Sequence, residues 1–199
     1  MIKRILTEKM IMATLLATVF FSIAHPCIHK YLIMRIPEQY LAMEMIVINL
    51  GVIVVNYLFD KQGDKLYKLY PWFLLTESVL YTSLVVLLVY GIVDAKVYFI
   101  GDMFIRAIIT RNIMCCANRL KRIVYEGESR EKFDITTPVA CAIACCIGSS
   151  IALFTIPMWL GWLCISIGVS IDNLFYYMAY KETKQTESLK AEMKAMIIH

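Results

Sequence analysis

The chain has 199 residues, 60% hydrophobic and 18% charged, with a formal net charge of +4 and a mean hydropathy of +0.66. A soluble domain carries about 45–50% apolar and about 25% charged residues, so a water-soluble core of this length is excluded as the home of so much apolar sequence. The basic residues gather at the ends of the apolar runs, which also argues against a nucleic-acid surface.

Residues Met1 to Lys9 are basic and lead directly into an apolar run at about 10–33. No small-residue cleavage site follows, and the run exceeds the roughly 7–15 residues of a signal core, so it is expected to stay as a first helix. Further apolar segments lie at about 38–59, 69–93, 96–119, 135–156 and 157–180. Each is close to the roughly 20 residues that cross a bilayer as a helix. The expected fold is therefore an all-α integral membrane protein with a six-helix domain over residues 1–180. The breaks are Arg35-Ile36-Pro37, Asp60–Lys68, Gly91–Lys96, Asn118–Phe133 and a turn at Pro157–Gly161. Trp159 and Trp162 suit an interfacial position at that turn. Residues 181–199 change composition sharply and form either a cytoplasmic amphipathic helix on Leu189, Met193, Met196 and Ile197, or a frayed polar tail.

Orientation follows from Lys and Arg. Fifteen lie on the side of both termini, at the two ends and in the breaks after the second and fourth segments, and only Lys30, Arg35 and Lys96 lie opposite. The positive-inside rule then puts both termini in the cytoplasm of a multi-pass plasma-membrane protein. The seven cysteines have no C-x-x-C spacing and sit in apolar runs, where cysteine packs as a small hydrophobe.

Ionisable residues inside apolar segments are costly and point to function. Asp102, Arg106 and Arg111 lie in the fourth segment, with Arg106 near its middle. Asp102 and Arg106 are four apart, share a helix face and can pair. Arg111 can snorkel to the cytoplasmic surface. Glu44, Glu77 and Asp172 complete the set, with Asn173 beside Asp172, and Glu44 and His25 lie where they can hydrogen-bond. These five, Arg106, Asp102, Glu77, Asp172 and Glu44, are the candidate substrate or proton-coupling residues. His25-Pro26-Cys27-Ile28-His29 has two histidines at i and i+4, but the proline disturbs a metal geometry and no further ligand lies near. No catalytic set, phosphate loop, metal site or cofactor motif is recognised, so neither enzyme activity nor a cofactor is expected.

Asn56-Tyr57-Leu58-Phe59-Asp60-Lys61-Gln62-Gly63-Asp64-Lys65 resembles the major facilitator signature G-x-x-x-D-R/K-x-G-R-K/R of the cytoplasmic loop between helices two and three. Asp60, Lys61, Gly63 and Lys65 match; Asn56 replaces the first glycine and Asp64 a basic residue. Arg106 falls where that family carries an arginine in helix four, with Thr110 in place of the following glycine. The turn Gly127–Lys132, Pro26, and the Gly148-Ser149-Ser150 patch have fainter counterparts. The resemblance implies one six-helix half of a twelve-helix transporter, built from 3+3 inverted repeats and rocking against a second bundle. It also implies a homodimer or a second six-helix partner, a small-molecule substrate, a cytoplasmic gating loop at Asp60, Lys61, Gly63 and Lys65, and Arg106 facing the central site for an anion or for proton coupling.

Two other readings stand beside it. Substrate-binding membrane subunits of vitamin uptake systems, which work with ATPase partners, resemble the chain in size, and Ala13-x-x-x-Ala17 is similar to their docking motif. The third reading is a non-transporting scaffold, immunity protein or membrane enzyme.

Overall fold

A computed structural model describes the backbone of residues 2–124, 128–152 and 157–197, and most side chains of 11–122, 135–151 and 157–185. It is helical throughout, with no strand among the described residues. The helices are α1 (Ile2–Ile33), α2 (Glu38–Lys68), α3 (Tyr70–Val89), α4 (Ala95–Phe104), α5 (Arg111–Val124), α6 (Glu128–Ala152) and α7 (Met158–Ile197). A π-helical segment, Ile105–Thr110, joins α4 to α5, so these three pieces form one rod over the fourth apolar segment.

Among the described residues, four stretches are long and apolar enough to cross a membrane: Thr14–Leu32, Glu38–Lys68, Tyr70–Val89 and Trp159–Gln185. Thr137–Ile151 is a shorter apolar stretch. Large apolar side chains line the outside, among them Leu50, Ile53, Leu75, Val79, Ile143 and Leu163, while Glu77, Asp102, Asn112, Ser166 and Asn173 are buried. Apolar outside and polar inside is the distribution that a hydrocarbon solvent favours.

The packing has two parallel sets. α1 lies against α6 and α7, the fourth rod lies against α2 and α3, and α3 meets α7 between them. Small residues permit the closest approaches. A Cβ on Gly148 of α6 would stand 2.5 Å from Ser22 Cβ and 2.7 Å from the Val19 carbonyl of α1. A Cβ on Gly51 of α2 would stand 2.3 Å from the carbonyl oxygen of Ala107 in the π segment.

The turn after α3 is closed by Gly91, at φ 69°, with Ile92 N–H donating to Leu87 and Gly91 N–H to Leu88. This is a Schellman cap, which needs a left-handed residue. Asp94 then caps α4 by accepting from Val97 N–H at 2.8 Å. Gly91→Val puts a β-branched residue in that conformation, and the expected loss is about 1–2 kcal/mol. Unfolding in mixed micelles measures it, with Ile92→Val as the neutral comparison.

Several boundaries differ from the sequence expectation. α2 continues through Asp60–Lys68 rather than ending in a loop, with one departure from helical geometry at Gln62 (φ −133°, ψ 26°). Only Leu69 separates it from α3, whose first turn holds Pro71. α7 runs unbroken past residue 180, because Lys181–Ala195 contains neither glycine nor proline and is rich in helix formers. The side chains of Leu189, Met193 and Met196 and the placement of Gly127 lie outside the described residues, as do the side chains of 128–132.

Trp159 is 57% exposed, but Trp162 is buried at 3%. Its ring meets Tyr98 edge-on at 4.5 Å and Tyr31 at 5.6 Å, so it belongs to the core rather than to an interface. Cys116 and Cys164 are likewise buried.

Candidate functional site

The five candidate residues come from four separate parts of the chain and converge on one cavity of about 670 Å³. Glu44 enters from α2, Glu77 from α3, Asp102 from α4, Arg106 from the π segment and Asp172 from α7. His25 of α1 and Lys121 of α5 also line it. The volume lies in the range of about 300–1,000 Å³ typical of small-molecule sites.

Arg106 is held from two sides. Asp102 Oδ2 accepts from Nη2 at 2.8 Å, one helical turn earlier, as the i,i+4 spacing anticipates. Glu44 Oε1 accepts from the same nitrogen across the α2 interface. Glu44 is thus the acid that meets Arg106, a pairing that no spacing within one helix reveals. Glu44 and Gly51 lie seven residues apart, hence on one face of α2. The absence of a side chain at Gly51 brings that face against Ala107, next to Arg106.

The second oxygen of Asp102 accepts from Tyr81 Oη at 2.7 Å. Tyr81→Phe removes this donor from a buried carboxylate while keeping the ring. The expected cost is about 1–3 kcal/mol, read as a lower midpoint of unfolding in micelles. An unchanged midpoint would show that Arg106 alone satisfies Asp102.

Glu77 is 6% exposed and sits between two neutral donors. Thr110 Oγ1 donates to Oε1, and Asn173 Nδ2 donates to Oε2 at 2.9 Å. Asn173 also reaches the Leu74 carbonyl at 3.1 Å and Ser78 Oγ at 3.0 Å, tying α7 to α3. Asp172, its neighbour, lies near Lys121. Tyr81 and Thr110 are the partners that sequence reasoning left outside the site, whereas Asn173 was already marked there as the polar neighbour of Asp172. Thr110 stood out there only as a departure from a family glycine, yet as a hydroxyl four residues after Arg106 it could have been placed on the same wall.

The residues expected to form a gating loop lie in a different place. Asp60, Lys61, Gly63 and Lys65 line a shallow depression of about 490 Å³ together with Asp64 and Arg119. Arg119 Nη2 donates to Asp64 Oδ1 at 2.5 Å, so the acid that departs from the family pattern anchors α2 to α5. Asn56, the other departure, accepts from Arg111 at 3.3 Å and from Cys115 at 3.5 Å. Arg111 therefore meets α2. Ala17, half of the candidate docking motif, is 2% exposed and buried within the chain, and the Ala13 side chain lies outside the described residues.

Comparison of the chain with protein-family models, with curated proteins and with solved structures finds no match in any of the three.

Proposed function

We propose that the chain is one six-helix half of a secondary transporter of major facilitator type, spanning the membrane six times with both termini in the cytoplasm. Two such bundles, from a second copy or another six-helix chain, complete it and rock about a small-solute site at the 670 Å³ cavity. The observation that carries this reading is the packing pattern. Exchanging the first three rods with the last three maps α1–α6 onto the fourth rod with α2, maps α1–α7 onto the fourth rod with α3, and leaves α3–α7 in place. That is the relation expected of 3+3 repeats. The gathering of five ionisable residues on one cavity supports the solute site, since such groups are expensive in a membrane interior. The burial of Ala17 weighs against the vitamin-subunit alternative.

The mass of the gently extracted complex tests this. Native mass spectrometry is expected to give twice the chain mass, or the chain plus one comparable membrane protein. A bare monomer, or a complex with ATPases, would remove the two-bundle reading.

A further inference from the structure

The charge on the cavity wall identifies the class of solute. Its charged lining among the described residues is Glu44, Glu77, Asp102 and Asp172 against Arg106 and Lys121, with His25 beside them. Arg106 spends its charge on two carboxylates, Glu44 and Asp102, and so leaves that group of three net negative. Lys121 offsets Asp172. Among the described residues Glu77 receives only neutral donors, from Thr110 and Asn173, which orient a carboxylate without cancelling its charge. Acids therefore exceed bases even with His25 protonated. A midplane arginine read alone points to an anion; an arginine already gripped by two acids does not.

The rest of the wall is largely aromatic and aliphatic. Phe21, Tyr81, Tyr98, Phe99 and Tyr176 all face the cavity. Ring faces attract cations and accept apolar bodies, and do both best away from water. Excess negative charge in a hydrocarbon surround needs a counter-charge. Resting on the solute-site reading above, we propose that the cavity takes an organic cation, a positively charged nitrogen or phosphorus centre on an apolar body, with Glu77 as its principal uncompensated carboxylate.

Two ions of the same shape and opposite charge give the test. Tetraphenylphosphonium and tetraphenylborate are each equilibrated with the purified full-length protein in detergent, with empty micelles subtracted. The expected result is saturable binding of the phosphonium, no displacement by the borate, and at least tenfold weaker phosphonium binding in Glu77→Gln. Saturable binding of the borate, equal binding of both ions, or no saturable binding of either would overturn the proposal, and none of these needs a variant to fold. Phosphonium binding unchanged in a folded Glu77→Gln would overturn the role of Glu77. Binding in detergent does not require transport or a second bundle. A monomer that binds the phosphonium would sink the two-bundle reading alone, and a dimer that binds only the borate would sink the cation alone.

Discussion

Gly51→Ala is expected to destabilise the protein and to loosen Glu44 from Arg106, although it adds only one methyl group. The new Cβ would stand 2.3 Å from the Ala107 carbonyl oxygen and 2.8 Å from both the carbonyl carbon and Cβ of that residue. Backbone atoms cannot rotate away, so α2 and the π segment must part. Overpacking of this kind costs about 1–3 kcal/mol. Gly101→Ala is the control: its Cβ would meet only the tip of Leu84, at 3.0 Å, a flexible side chain that can give. Unfolding in mixed micelles is expected to show a clear loss for Gly51→Ala and a small change for Gly101→Ala. Equal effects would mean that the α2 contact is not as tight as described. A π turn widens the helix and often marks a functional place, and here it carries Arg106 on the side that α2 must reach.

Arg106→Ala is expected to leave Glu44 and Asp102 facing each other without their shared cation. Removing one partner of a fully buried ion pair costs about 3–5 kcal/mol. The Arg106 side chain is 38% exposed, so solvent in the cavity can screen part of this, and about 2–3 kcal/mol is the figure to expect. The triple variant Arg106→Ala, Glu44→Gln, Asp102→Asn removes the repulsion together with the arginine and should recover most of the loss. If the triple variant is no more stable than Arg106→Ala, the two acids do not depend on Arg106 and the described triad is wrong. The same unfolding assay in mixed micelles reads both. Solute movement, measured in proteoliposomes, is expected to stay low in the triple variant even where stability returns, because the wall charge has changed.

Helical content was legible in the sequence, as were the breaks at Arg35–Pro37, Gly91–Lys96 and Pro157, because proline, glycine and polar caps act locally. The extension of α2 through Asp60–Lys68 was not, since the segment is polar enough for a loop and helical enough for a rod. Its contacts with α5 distinguish the two, among them Arg119 on Asp64 and Cys116 on the Leu66 carbonyl. Trp162 shows the same limit: its sequence position suits a membrane interface, while Tyr31 and Tyr98 make it a core residue.

Of the candidate site, the sequence by itself singled out the five ionisable residues that line one cavity and one of their pairings. An ionisable group in an apolar run identifies itself by its cost, and Asp102–Arg106 follows from helical spacing. What only the tertiary structure decided is who meets whom between helices. Glu44 with Arg106 spans 62 residues of chain, and Glu77 with Asn173 spans 96. Those meetings depend on how closely α2 can approach at Gly51 and how α3 lies on α7, and neither is written in any local period. The sign of the cavity belongs to the same class, because charge balance is a property of the side chains that meet in space.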